Sequence, residues 1–170
     1  TSAVTLDEMV NAYGMMANGG KELESYSVEK IEDKNGRTVY ERENGQPEQV
    51  LDEQSTFILS QLMTGMFDRE MDDYMAVTGA SIADQLTRVY AGKSGTTSAD
   101  SWMIGYSPNL VTGVWTGYDD NRQIEVVAET AYAKDIWAGF MEAAHEGLPE
   151  DDFTAPPGVV AVPMDLESGY

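Results

Sequence analysis

The stretch AGKSGTTSADSWMIGYSPNLVTGVWTGY, residues 91–118, decides the fold. Trp102, Ile104 and Tyr106 alternate with Met103 and Gly105, the two-sided rhythm of a strand. Ser107-Pro108-Asn109 then supplies a tight turn, and the run from Leu110 to Tyr118, rich in Val, Thr and Trp, reads as the next strand. Upstream, Val89 to Thr97 is extended and carries Gly92 and Gly95, which inside a strand mark close approach by a ligand or another backbone. Three consecutive antiparallel strands are expected.

Helices flank this centre. Thr5-Leu6-Asp7-Glu8 is a capping box, followed at helical spacing by Met9, Val10, Tyr13 and Ala17, and Asn18-Gly19-Gly20 ends the helix. Ser25 to Glu41 alternates around Asn35-Gly36, which predicts a small exposed ribbon with a two-residue turn in positive φ. Asp52 is the expected N-cap of a second helix with Ile58, Leu59, Leu62, Met63, Met66 and Phe67 on its buried face. An acidic loop, Asp68 to Tyr74, and a short helix from Thr78 precede the strands. A last helix spans about Ala131 to Ala144 with Ile136, Trp137, Phe140 and Met141 inward, closed by Gly147 and Pro149.

The chain has 170 residues, 42% of them apolar, enough for one sizeable core without metals or staples. Asp and Glu number 30 against 10 Lys and Arg, and a net charge of −20 opposes approach to nucleic acid or anionic membranes. With no cysteine there is neither a disulfide framework nor a thiolate ligand set, and the redox compartment stays open. The sequence begins Thr1-Ser2-Ala3-Val4 with no Met or basic leader, and no run nears the ~20 apolar residues of a membrane span. A fragment or processed piece is expected.

Gly92-Lys93-Ser94-Gly95-Thr96-Thr97 admits three chemistries. A phosphate loop needs Gly five residues before its Gly-Lys-Ser; Thr87 stands there, and the following residues alternate instead of opening a helix. A Gly-rich strand end with an exposed Lys is the bland alternative. The third is the Lys-[Ser/Thr]-Gly element of penicillin-recognising acyl-transfer enzymes, carried on a strand that walls the active site. The ordered series from Ala91 through Asp100-Ser101-Trp102, Gly105-Tyr106-Ser107-Pro108, Leu110 to Trp115 and Asp119-Asp120 closely resembles the transpeptidase domain of class A penicillin-binding proteins. Asn11-Ala12-Tyr13, Ala17 to Gly20, Lys30 to Asp33, Gln49-Val50-Leu51, Thr78-Gly79 and Pro156 to Val159 extend the resemblance over almost the whole chain.

The resemblance implies an α/β fold of the α+β type, β-lactamase/transpeptidase-like, with a central antiparallel sheet flanked by helices, of which this chain is the C-terminal half. Residues 1–155 would hold that half, and 156–170 an extended exit toward a further C-terminal region. It also implies a peptidoglycan D,D-transpeptidase that joins stem peptides ending in D-Ala-D-Ala and is acylated by β-lactams. Lys93 would sit beside the serine of a Ser-x-Asn element and the substrate carboxylate. Ser94, where the family more often has Thr, and Thr96 would offer hydroxyls to that carboxylate, Gly95 would leave room, and Thr97 would stand at the groove mouth. The Thr96 backbone N–H would be one oxyanion-hole donor, worth ~3–4 kcal/mol. No metal or organic cofactor is implied. The implied partners are stem peptides, β-lactams and an upstream part of the same protein with a glycosyltransferase domain. The implied location is the extracytoplasmic face of a bacterial membrane, reached through an N-terminal anchor. A noncatalytic acidic interaction module and a serine β-lactamase are the alternatives.

The nucleophile and the Ser-x-Asn element are expected upstream. Ser27-Val28-Glu29-Lys30 matches Ser-x-x-Lys in letters, but in an alternating ribbon residues three apart face opposite sides. Ser107-Pro108-Asn109 matches Ser-x-Asn but follows the Lys-Ser-Gly strand. Both are decoys, so the nucleophile lies outside this chain, which alone is expected to be inactive. His145 is assigned to the last helical turn as a cation on the dipole, Asp119-Asp120-Asn121 to a turn, and Asp68 to Asp73 to a solvated loop. Trp102, Trp115, Trp137 and most of the ten methionines are assigned to core packing.

Overall fold

A computed structural model describes residues 3–22, 24–43, 45–72, 75–163 and 165. Helix α1 (Leu6–Ala17) starts on the expected capping box: the Thr5 hydroxyl accepts from the Glu8 amide, and the Glu8 carboxylate accepts from the Thr5 amide at 2.7 Å. It ends at Gly19 and Gly20, both at positive φ. The Gly20 carbonyl then accepts from the amides of Val50 and Leu51, pinning the far end of the ribbon segment to the end of α1.

The ribbon is β1 (Lys30–Glu32) against β2 (Thr38–Glu41). Its turn differs from expectation, because a three-residue loop, 34–36, joins the hydrogen-bonded Asp33 and Arg37 and only Gly36 has positive φ. The cause is Asp33: its carboxylate accepts from the amides of Asn35 and Arg37, and its own amide bonds to the Arg37 carbonyl, which shapes a type I turn closed by a left-handed glycine. Those two amides hold its carboxyl below the usual carboxylate range.

Strands β3 (Ala91–Thr96), β4 (Asp100–Tyr106) and β5 (Val111–Gly117) form an antiparallel sheet in that order. Gly92 pairs with Gly105, Lys93 with Ile104 and Trp102 with Trp115. Packing explains Gly92, Gly105 and Gly113. Gly92 and Gly105 lie side by side and open a slot on one face, filled by Trp137 of helix α4 (Tyr132–Ala144) and by Phe67. A Cβ on Gly105 would run into the Trp137 indole, and one on Gly92 would lie 3.0 Å from the Phe67 ring. Trp137 stacks on Phe67 at 5.6 Å, meets Tyr90 edge-on, and donates its N–H to the Thr112 carbonyl at 3.2 Å. On the other face Gly113 admits α1, whose Val10 would be only 2.6 Å from a Cβ there.

Helix α2 (Glu53–Thr64) is capped by Asp52 as expected, but only part of the apolar row expected for it turns inward: Met66 is buried, Phe67 packs against the core and Met63 is half-buried. Ile58, Leu59 and Leu62 are exposed, Leu62 at 73%, while Thr56 and Ser60 are buried. Small side chains bring the helix close, and Ser60 shares a 2.8 Å hydrogen bond with the buried Tyr106 hydroxyl. The α4 expectation is corrected in the same way: Trp137 and Met141 are buried, whereas Ile136 and Phe140 are exposed and continue the Tyr132 row on its outer side. Met66 and Phe67 belong to a 3-10 turn after α2, and a short helix α3 (Ala80–Ala83) follows.

His145 also differs. It is buried, with Nδ1 bonded to the Met141 carbonyl and Nε2 to the Ser107 hydroxyl at 2.9 Å, so it serves as a hydrogen-bonded plug between the end of α4 and the β4–β5 turn. Arg88 donates to the carbonyls of His145, Leu148 and Pro149, closing the same helix end. Met66, Met103 and Met141 are buried, while Met71 and Met75 are exposed. In the exit, Phe153 packs edge-on against Tyr106, Pro156 is buried, and the Pro157 carbonyl accepts from Gln54, so the packed body reaches past residue 155.

Two glycine substitutions separate slot from surface. Gly105→Ala is expected to cost about 1–3 kcal/mol through displacement of the Trp137 indole. Gly139→Ala, with open space at its Cβ on α4, is expected to gain up to about 1 kcal/mol. Denaturant midpoints of the two variants check both signs.

Candidate functional site

β3 is an edge strand among the described residues, and its hydrogen-bonding alternation gives it chemical significance. The Thr97 amide bonds to the Asp100 carbonyl at 2.9 Å, so Thr97 and Asp100 are a hydrogen-bonded pair. Counting back by twos, Gly95 and Lys93 also bond toward β4, and the amides and carbonyls of Gly92, Ser94 and Thr96 point outward from the sheet. The Thr96 N–H is therefore presented along a free edge.

Side chains alternate about that edge. Lys93 and Gly95 face α1, while Ser94 and Thr96 face the α4 side. Beside Lys93 lies a mostly apolar cavity of about 240 Å3 between Met9 and Tyr13 of α1 and Gly95, Trp102 and Ile104 of the sheet. Larger hollows near Arg88 and near Arg42 gather no comparable set of groups. The Lys93 ammonium bonds the outward Ser94 carbonyl at 2.5 Å, and no carboxylate pairs with it among the described residues. A Cβ on Gly95 would meet only Trp102, at an ordinary 3.7 Å. Packing within the chain thus explains Gly92 but not Gly95. A ligand lying edge-on along β3 reaches Lys93 from one side, the two hydroxyls from the other, and the Thr96 amide between them.

Thr97 is placed differently from Ser94 and Thr96. Its hydroxyl donates to Asp100 and accepts from the amides of Ala99 and Asp100, which commits it to the turn. Trp102 and Trp115 are corrected too: Trp115 is 38% exposed, and both indoles donate to the Asp100 carboxylate, at 3.1 and 3.3 Å, instead of only filling the core. The cluster around Asp100 went unread in the sequence. Its signal was present, since Asp100 and Trp102 share a strand face and Trp115 stands opposite Trp102.

The decoys stay apart from the edge. Lys30 pairs with Glu32, and Ser27 is an exposed bend residue. Ser107 is buried, with its oxygen accepting from the amides of Asn109 and Leu110 in the β4–β5 turn. Asp119-Asp120-Asn121 forms a turn with Asn121 at positive φ. Asp68 caps a 3-10 turn, and Asp72 holds the Val77 amide; Asp73 and Tyr74 lie outside the described residues. No cluster of His, Cys, Asp or Glu suited to a metal ion occurs among the described residues.

A family model described as the penicillin binding protein transpeptidase domain matches residues 2–137. The chain belongs to the penicillin-binding protein transpeptidase family. Penicillin-binding protein 2D of Bacillus subtilis is 55% identical over 170 residues, covering 100% of this chain and 24% of the relative. The crystal structure of penicillin-binding protein 1A from Haemophilus influenzae has a TM-score of 0.82 at 28% identity, over 98% of this chain and 30% of that one. PonA1 from Mycobacterium tuberculosis shares the fold, with a TM-score of 0.73 at 23% identity over 93% of this chain and 45% of that one. The chain thus spans about a quarter of the length of the curated relatives it matches. The sheet flanked by helices is the transpeptidase fold of this family.

Desolvation pushes the Asp100 carboxyl upward, but the hydrogen bonds from Thr97, Trp102 and Trp115 outweigh it and hold it below the usual carboxylate range. A lowered folded-state value contributes stability above the unfolded value of about 3.8, lost as pH falls through the lowered one. The stability gap between the unmodified domain and Asp100→Asn is therefore expected to hold above about pH 4 and to shrink as pH falls below it, as read from denaturant midpoints.

Proposed function

We propose that this chain is the C-terminal half of a peptidoglycan D,D-transpeptidase domain and supplies the Lys-Ser-Gly wall of its active site. The observation that carries this is the free edge of β3, where an outward Thr96 amide lies between an ammonium on one side and two hydroxyls on the other, with Gly95 unfilled beside it. The substrate is a stem peptide ending in D-Ala-D-Ala, and a β-lactam is the mimic that acylates the same serine. The serine and its lysine belong to an upstream segment, because neither Ser27 nor Ser107 stands near the edge. The parent protein acts at the extracytoplasmic face of the membrane through an N-terminal anchor. Among the described residues no helix is long and apolar enough to cross a membrane.

In this mechanism the upstream serine oxygen attacks the penultimate D-Ala carbonyl and gives its proton to the upstream base. The negative charge that develops on the carbonyl oxygen is met by the Thr96 N–H and the amide of the serine itself. The terminal D-Ala departs as the amine takes up a proton, and Lys93 favours that transfer through the adjacent Ser-x-Asn serine. Ser94 and Thr96 hold the carboxylate of the departing residue. An amine of a neighbouring stem peptide then attacks the ester and frees the serine. Charge supports this division of labour: at −20 the molecule as a whole repels an anionic substrate, so its capture depends on groups within a Debye length, about 8 Å, of the carboxylate.

Intact-mass measurement after incubation with a fluorescent penicillin is expected to show no adduct on this chain alone, and an adduct on the upstream segment when both are present. An adduct on Ser27 would sink the assignment. In the complete protein, Lys93→Ala is expected to slow acylation by about a hundredfold or more, followed as the rate of fluorescent labelling. A normal rate removes Lys93 from the site.

A further inference from the structure

Asp100 opens β4 at the far end of the β3–β4 hairpin, and every hydrogen bond its carboxylate accepts comes from a different part of the sheet's end. One oxygen takes the Thr97 hydroxyl at 2.5 Å. The other takes the indole N–H of Trp102 at 3.1 Å and that of Trp115 at 3.3 Å. The Thr97 oxygen accepts in turn from the amides of Ala99 and Asp100, and the Thr97 amide returns to the Asp100 carbonyl. Trp115 lies over Gly117, the residue opposite Asp100, where a Cβ would stand 2.6 Å from the indole. One carboxylate thus fastens Thr97, the first residue after β3, to both β4 and β5. Thr96, whose amide points out of the sheet, is the residue immediately before this fastening and has no strand on its outer side among the described residues.

We propose that Asp100 is a positioning residue for the acyl-transfer edge: by holding Thr97 against β4 and β5 it fixes the direction of the Thr96 N–H and keeps the end of β3 from fraying outward. This rests on the assignment of the β3 edge made above. Asp100 touches neither substrate nor reacting atoms and works only through Thr97. Among the described residues the two-residue turn of Ser98 and Ala99 has no other side-chain anchor; its remaining tie is the Ser98 carbonyl, which accepts from the Ile124 amide at 2.8 Å. The oxyanion contact is sensitive to such anchoring, because a misplacement of about 1 Å costs on the order of a hundredfold in rate.

The test uses the full-length protein, with acylation by a fluorescent penicillin resolved into an initial binding constant, a first-order acylation rate and the final labelled fraction. Asp100→Asn turns one acceptor into a donor, and Thr97→Val removes the hydroxyl. Each is expected to lower the acylation rate about tenfold or more, with the binding constant within about twofold and labelling running to completion. A role confined to stability would instead give incomplete labelling and a lower unfolding temperature, with an unchanged rate in the molecules that react; that result overturns the proposal. So does an unchanged rate in both variants when Lys93→Ala is slow. If Lys93→Ala is also unaffected, the assignment of the edge fails and positioning fails with it. Should Asp100→Asn not fold, the rate of Thr97→Val decides alone.

Discussion

The Trp137 indole seated in the slot between Gly92 and Gly105 is the contact on which the remaining structure leans. Two glycines opposite each other on neighbouring strands remove the side chains that would hold a helix about 10 Å from a sheet, and the largest side chain of α4 fills the space. The indole is satisfied as well as packed: its N–H reaches the Thr112 carbonyl, Phe67 stacks on its face and Tyr90 meets it edge-on. From there the order spreads along α4 to His145 and Ser107, which lock the β4–β5 turn, and through Phe67 to the end of α2. Because α4 covers one face and α1 the other, ligand chemistry is left to the strand edge. Lys93 follows Gly92 directly, so the slot that anchors the helix also sets where the ammonium leaves the sheet.

Local rules made much of this legible in advance. The capping box of α1, the Asp52 cap of α2, the three strands and the Ser107-Pro108-Asn109 turn follow from residue types at fixed spacing, and the Lys-Ser-Gly strand follows from motif order. What was not legible depends on partners distant in sequence. Periodicity shows that α2 and α4 have apolar rows, but not which side of each helix meets the sheet; Ser60 wins the inner side of α2 because it pairs with Tyr106, a residue 46 positions away. Likewise, the positive-φ preference of Asn35-Gly36 is a local statement that the two amide bonds to Asp33 override. His145 and the indoles of Trp102 and Trp115 were read by type, as cation and as core, when their hydrogen-bond partners decide their roles.

Polar groups serve two purposes in this chain. Ser107, Arg88 and Asp33 are consumed in satisfying backbone groups at turns and helix ends, where an unpaired amide or carbonyl costs about 1–3 kcal/mol. Ser94 and Thr96 keep their hydroxyls and outward amides unclaimed by the sheet, while the outward Ser94 carbonyl is held by the Lys93 ammonium. A literal motif search cannot tell Ser107-Pro108-Asn109 from a catalytic element, because both present the same letters. Counting which atoms are already spoken for does distinguish them.

The other side of the sheet has a consequence for how the molecule behaves in a crowd. β5 is also an edge among the described residues, seven residues of Val, Thr, Gly and Trp with no proline, lysine or bulge to discourage pairing. Such an edge is a template for another copy of itself. The surplus of acid then has a colloidal meaning: at −20 two copies repel before their edges meet, and added salt weakens that protection by shortening the range of the repulsion.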